Sequence, residues 1–125
     1  IGSQAFQNCS RLTSVTFGEN SRLTSIGGNA FNGCSNLTSV IIPNSVTSIS
    51  VATFQNCTNL TSIEIPEGVT SIGNNAFYNC SALTSITIPD SVTSIGEQAF
   101  YSCDGLTSII IPEGVTSIGD SAFAY

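Results

Sequence analysis

The chain has 125 residues, enough for one ordinary domain, and a formal charge of −6. Arg11 and Arg22 are its only cationic side chains, so the clustered Lys and Arg of a nucleic-acid or anionic-membrane surface are missing. Its apolar runs, such as residues 109–111, are far shorter than the roughly 20 residues of a membrane span. We therefore expect no nucleic-acid partner and no membrane span.

The chain repeats with a period of 23 residues, and its units start near residues 12, 37, 60, 83 and 106. Such a period is typical of a solenoid, whose units bury their apolar sides only by stacking on their neighbours. We predict a single repeat domain over residues 1–125 with about five coils, cut from a longer array, because both ends lie inside a unit. The residues that keep the period are Phe31, Phe54, Phe77, Phe100 and Phe123; Cys34, Cys57, Cys80 and Cys103; and Leu37, Leu60, Leu83 and Leu106.

Each unit begins with a short strand and a turn. In the unit that starts at Leu60, Ile63 and Ile65 alternate with polar residues, which predicts a strand with isoleucine facing inward. Pro66 cannot donate to a strand ladder, and the Pro-Glu-Gly sequence at residues 66–68 has turn chemistry. We expect successive coils to pair these strands in parallel.

A second short strand and a corner complete the unit. Residues 69–72 repeat the pattern of two aliphatic residues around Thr-Ser, and Gly73 follows them. Ala76, Phe77 and Cys80 then stand at i, i+1 and i+4, a spacing that suits one inward-facing turn of 3₁₀ or α helix. The predicted fold class is a mainly β repeat solenoid with two short parallel strands per coil and short helical corners.

The first unit departs from this pattern. Residues 17–22 replace the Ile-Pro turn and are two residues longer, so a local bulge is expected there. In the second unit Ser50 and Thr53 stand where the other units have Gly and Ala. The glycine is therefore not required for a positive φ angle.

The consensus Leu-x-x-Ile-x-Ile-Pro, followed by Val-x-x-Ile-Gly-x-x-Ala-Phe-x-x-Cys, resembles the leucine-rich repeat of the Treponema pallidum type. This type is found in BspA-like surface proteins of bacteria and some parasitic protists. The resemblance implies a curved solenoid with parallel β structure on its concave side. It also implies a cell-surface or secreted protein that mediates adhesion, often to host extracellular matrix proteins. The motif consists of structural positions, so it carries over no binding residues.

Two variable rows are the candidate ligand-binding residues. The position between the two inward aliphatic residues of the first strand differs among units while its surroundings stay nearly constant. An outward isoleucine on a β face has no role in the core, so this row suggests a contact surface. The residue after the phenylalanine also varies, and tyrosine there could anchor an interface or simply pack along the corner. The candidates are Thr16, Ile41, Glu64, Thr87 and Ile110 in the first row, with Tyr78 and Tyr101 in the second.

The cysteines favour structural thiols. They number five, they occupy equivalent positions, and the chain has no Cys-x-x-Cys motif and no histidine. Free cysteine behaves as a small buried hydrophobe, so we predict a column of buried thiols. A disulfide between adjacent coils is the alternative, if their Cα atoms approach within about 7 Å.

The other polar motifs also have structural interpretations. The ten Thr-Ser pairs favour solvent-facing residues that bond along the ladder over an ice-binding face, because the Thr-x-Thr spacing of such a face is missing. The acidic column at Glu67, Asp90 and Glu113 lacks the dense Asp/Gly loops of calcium-binding β-rolls. The chain has no Lys and no His that could activate a nucleophile. We expect no catalytic residue, no metal and no cofactor.

The leading hypothesis is a non-catalytic interaction and adhesion module, extracellular or on the cell surface, that binds a protein ligand. The alternative is a structural spacer, or a segment that self-associates end to end through uncapped strand edges. Carbohydrate binding ranks lower, because only the tyrosine row offers the exposed aromatic side chains that it requires.

Overall fold

The computed structural model describes all residues, 1–125. The chain forms a solenoid of eight strands, each only two or three residues long, and contains no helix. The strands are β1 (Ser14–Val15), β2 (Ser39–Val40), β3 (Ser48–Ile49), β4 (Ser62–Glu64), β5 (Ser71–Ile72), β6 (Ser85–Thr87), β7 (Ser94–Ile95) and β8 (Ser117–Ile118).

All strand pairs are parallel, as predicted. The second strands of four successive coils form one sheet in the order β3-β5-β7-β8, with Ser71 opposite Ser48 and Ser94 opposite Ser71. The first strands form two separate pairs, β1 with β2 and β4 with β6, linked by a bridge between Ile41 and Glu64. The repeat therefore sets the register, since equivalent residues of neighbouring units lie side by side.

One continuous hydrophobic core runs the length of the stack. Its centre is a column of phenylalanine rings whose centroids lie 5.2–5.5 Å apart with interplanar angles of 1–10°. Phe31, Phe54 and Phe77 have no exposed side chain at all. The column ends at Phe6 and Phe123, which are 36% and 37% exposed.

The corners are not helical, which corrects the prediction for residues 76–80. Tyr78 donates its N–H to the carbonyl of Asn75 three residues earlier, whereas Phe77 and Asn79 donate to carbonyls of the next coil. Asn75 and Asn79 also have positive φ angles of 56° and 57°, which a right-handed helix excludes. Every second N–H group of the corner therefore donates to the neighbouring coil and is not available for the hydrogen bonds of a helix.

The proline turns form as predicted, with Val69 donating its N–H to the carbonyl of Pro66. In the first unit, Ser21 donates to the carbonyl of Gly18 at 2.8 Å, so the longer segment is also a hydrogen-bonded turn. No strand follows it in that coil, so β3 has no strand partner on that side; the hydroxyls of Ser45 and Ser50 instead donate to the carbonyls of Leu23 and Ile26 there.

Glycine after the second strand is explained by close approach of the coils. A Cβ atom on Gly96 would lie 2.5 Å from the backbone nitrogen of Asn74, and one on Gly119 would lie 2.3 Å from that of Glu97. Neither glycine has a positive φ, in agreement with the sequence analysis. Ser50 is accommodated where its hydroxyl donates to the carbonyl of Ile26 at 2.7 Å.

Candidate binding surface

The variable row of the first strands lies on the surface. Its five residues, Thr16, Ile41, Glu64, Thr87 and Ile110, are all exposed. Ile41 is 67% exposed and Ile110 is 85% exposed, so neither side chain contributes to the core. The predicted outward orientation is confirmed, and the binding role of these residues stays a prediction.

The strand register brings the middle of this row together. Glu64 pairs with Thr87 between β4 and β6, and its other neighbour is Ile41. The inward residues on either side, such as Ile63 and Ile65, are buried. The row is therefore a stripe of variable side chains held by a rigid and nearly constant scaffold.

The tyrosine row forms a different surface at the corners. Tyr78 and Tyr101 stack with centroids 5.0 Å apart and an interplanar angle of 6°, and Tyr125 meets Tyr101 edge-on at 5.6 Å. Carbohydrate recognition would require accessible ring faces, and the stacking of Tyr78 on Tyr101 covers one face of each of these half-buried rings. The geometry favours packing along the corner over sugar binding.

In six of the ten Thr-Ser pairs, the threonine hydroxyl donates to a threonine carbonyl of the coil before. Thr93 donates both its N–H and its hydroxyl to the carbonyl of Thr70, at 2.9 and 3.2 Å, and Thr116 repeats this contact with Thr93. A hydroxyl that already donates within the protein is less available to order water. This arrangement supports the structural interpretation of the pairs.

Four of the cysteines line the core beside the phenylalanine column, and Cys9 does not, because it is exposed at the first corner. Cys57, Cys80 and Cys103 donate their thiols to the phenylalanine carbonyl of the coil before, at 3.1–3.3 Å. Burial, with the neighbouring thiol of Cys34 as the next contribution, raises the pKa of Cys57 to about 12. Burial likewise raises the pKa of Cys103 to about 11. These thiols stay protonated near neutral pH and are poor nucleophiles or metal ligands.

We expect Ellman's reagent to modify Cys9 rapidly in the native protein and all five cysteines after denaturation without reductant. The buried thiols are shielded by neighbouring coils and react only after unfolding. A Cys9→Ser variant should show almost no native reactivity. Fewer than five thiols in the denatured wild-type protein would contradict the column of free thiols.

The carboxylates of the proline turns are also exposed. Glu67, Asp90 and Glu113 occupy one position in three successive coils, and Asn44 stands there in the second unit. Together with Glu19 and Glu64 they place five of the chain's eight acidic residues along the first strands and the turns that follow. No three metal-binding side chains cluster anywhere in the structure.

A groove beside this row was not predicted. It measures about 350 Å³ and lies between residues 84–88 and 108–110, with Asp90 and Pro112 at its rim. Residues 107–111, on one side of it, take part in no hydrogen bond within the chain, whereas Thr61 and Thr84 each donate their N–H to the threonine carbonyl of the coil before. The sequence holds no signal for this break, since the first strand of the last unit closely matches that of the second.

Comparison with known proteins decides the family. Residues 1–125 match the family described as "BspA type Leucine rich repeat region", with six copies of the repeat. The chain belongs to this family. The predicted resemblance and the leucine-rich repeat fold are thereby confirmed.

Three solved structures extend the comparison. A leucine rich cell surface protein from Faecalibacterium prausnitzii is 47% identical, with a TM-score of 0.88 over 98% of this chain and 33% of that one. A leucine-rich repeat protein from Bacteroides ovatus is 42% identical, with a TM-score of 0.82 over 89% of this chain and 30% of that one. The leucine-rich repeat protein of T. pallidum is 34% identical, with a TM-score of 0.84 over 89% of this chain and 53% of that one.

The chain thus spans between about a third and a half of the length of these BspA-type relatives. None of the curated proteins matches it. The structure holds no helix with the length and apolar character that crossing a membrane would need.

Proposed function

We propose that this BspA-type repeat region is a non-catalytic protein-interaction module used in adhesion, and that it works at the cell surface or outside the cell. The observation that carries the proposal is the row Thr16, Ile41, Glu64, Thr87 and Ile110, which is exposed and variable on an otherwise constant scaffold. Two strongly exposed isoleucines in such a row have no role in folding. A surface of this kind serves contact with another molecule.

The comparisons support the location. One of the similar structures belongs to a protein named as a leucine rich cell surface protein, and the family consists of leucine-rich repeats of the BspA type. The buried, protonated thiols are poor nucleophiles, which supports a non-catalytic role. Host extracellular matrix proteins are the first ligands to test.

The test is binding of the purified chain to immobilised fibronectin, laminin and collagen, with the variants Ile41→Asp and Ile110→Asp. We expect the wild-type chain to bind at least one of them and the aspartates to weaken that binding about tenfold or more, because a charge is placed in an apolar contact. Ile41→Thr and Ile110→Thr are matched controls, since Thr16 and Thr87 occupy the same position in other units. They should lose less affinity than the aspartate variants.

Thermal unfolding should be nearly unchanged in Ile110→Asp and in both threonine variants, because the isoleucines are exposed, whereas Ile41→Asp should lose a little stability because its carboxylate lies beside Glu64. Unchanged affinity of the aspartate variants would remove this face from the binding surface. Light scattering at several protein concentrations separates ligand binding from end-to-end self-association. Scattering that rises with concentration in the absence of ligand would favour the structural alternative.

A further inference from the structure

The first-strand surface around β4, β6 and the last coil carries only negative charge. Glu64, Asp90 and Glu113 are exposed on or next to it, and the only cationic side chains, Arg11 and Arg22, both lie near the first unit. The surface around β4, β6 and the last coil therefore attracts cations and repels anions. A partner that approaches it closely must bring positive charge for the contact to be favourable.

The groove adds an open strand edge to this acidic surface. β6 pairs with β4 on one side, but residues 107–111 on its other side make no hydrogen bond to it or to any other part of the chain. The backbone groups of residues 107–111, and those of β6 that face them, thus have no hydrogen-bond partner within the chain. Unpaired strand edges are the sites at which an extended peptide adds to a sheet.

The size and lining of the groove limit what can enter. Its volume of about 350 Å³ lies at the lower end of ligand pockets, which suits a few residues of extended chain and not a folded element. Ile86, Ile109 and Ile110 contribute apolar surface to its lining, Ile110 with 85% exposure, and Asp90 contributes a carboxylate. These features match a strand that alternates aliphatic and cationic side chains.

We propose that the groove between β6 and residues 107–111 binds an extended, lysine- or arginine-containing segment of a protein partner, which pairs with the open strand edge while its cations meet Asp90 and Glu113. This inference rests on the proposed interaction function and states the chemistry of the partner. The backbone supplies the orientation, the isoleucines supply apolar contact, and the carboxylates select for positive charge.

The probe is an alternating Lys-Val peptide of about seven residues, the length of an ordinary strand, titrated by fluorescence anisotropy. We expect it to bind about tenfold tighter than the matched Glu-Val peptide, because like charges are excluded from an acidic surface. The Lys-Val peptide N-methylated at alternate residues should bind about tenfold more weakly than the unmodified peptide, since its methylated amides cannot donate hydrogen bonds to the strand edge. Equal binding of the N-methylated peptide would overturn strand pairing.

Each protein variant replaces acidic residues by the asparagine that stands at the same repeat position in another unit. Asp90→Asn with Glu113→Asn removes two charges at a position where Asn44 already stands, and should weaken Lys-Val binding about three- to tenfold. Glu97→Asn with Asp120→Asn removes two charges at a position where Asn74 stands, away from the groove, and should have little effect. Equal losses of peptide affinity in the two double variants would show that only the net charge of the protein matters, and would overturn the site.

Hydrogen exchange checks the open edge directly. Amides 107–111 should exchange rapidly in the free protein and slow down when the Lys-Val peptide binds, because unpaired amides are unprotected. Slow exchange in the free protein would show that these residues close onto β6 themselves, and would overturn the proposal. If the chain binds matrix proteins through Ile41 and Ile110 but fails the peptide tests, the proposed function stands and this inference is wrong.

Discussion

Replacement of Phe77 by alanine is expected to lower the free energy of unfolding by about 3–5 kcal/mol. The ring is fully buried and stacks on Phe54 and Phe100 at 5.5 and 5.2 Å, so its loss opens a cavity in the middle of the column. The flanking coils cannot collapse into this space, because their strands are held in register on both sides of the core. Urea denaturation followed by circular dichroism measures the effect.

Phe6→Ala is the matched control. It deletes the same side chain at the equivalent repeat position, but Phe6 is 36% exposed and stacks only on Phe31. Less apolar surface returns to water and no enclosed cavity forms, so the loss of stability should be clearly smaller than for Phe77. Similar losses at the two positions would contradict a core that is tighter in the middle of the stack than at its end.

Alkaline pH is expected to destabilise the protein through its buried thiols. Burial raises the pKa of Cys57 from an ordinary value of 9.0 to about 12 and that of Cys103 to about 11, and raises that of Cys80 well above the ordinary value. Below the ordinary pKa both states are protonated, and the stabilising contribution of each thiol is fully present. Above it the unfolded chain releases protons that the folded chain retains, so stability falls as the pH rises towards the folded pKa.

The expected slope is about 1.4 kcal/mol per pH unit for each such thiol, between its ordinary and its raised pKa. Denaturation midpoints measured from neutral pH upwards test this, with Cys57→Ala and Cys9→Ala compared. The first variant should show a shallower alkaline decline than the wild type, and the second should match the wild type because Cys9 is exposed. Equal slopes for wild type and Cys57→Ala would contradict the assignment.

The repeat made the core predictable from sequence. A side chain that recurs every 23 residues at an apolar position must face its copies in neighbouring coils, so the column of Phe31, Phe54 and Phe77 follows from spacing alone. The outward row follows from the same alternation, because Ile41 and Ile110 stand between two inward residues. Both inferences depend on residue order and strand geometry, which are local properties.

The corner was mispredicted because its hydrogen bonds are not local. The spacing of Ala76, Phe77 and Cys80 fits a helical turn, yet half of the N–H groups there bond to the next coil. The asparagines at positions 75 and 79 were a usable signal in the sequence, because asparagine tolerates the positive φ angles found there better than most residues. Asparagine also stands at other positive-φ corner positions, including Asn29 and Asn56.

By itself, the sequence determined the family, the period, the parallel register and the inward and outward residues of each strand. Only the tertiary structure decided how hydrogen bonds are divided between corner and neighbouring coil, and how close the coils come at Gly96 and Gly119. It also decided where the first-strand ladder opens, between β6 and residues 107–111. The physical reason is that near-identical units have near-identical local preferences, so differences between them arise from the contacts that each coil makes with its neighbours.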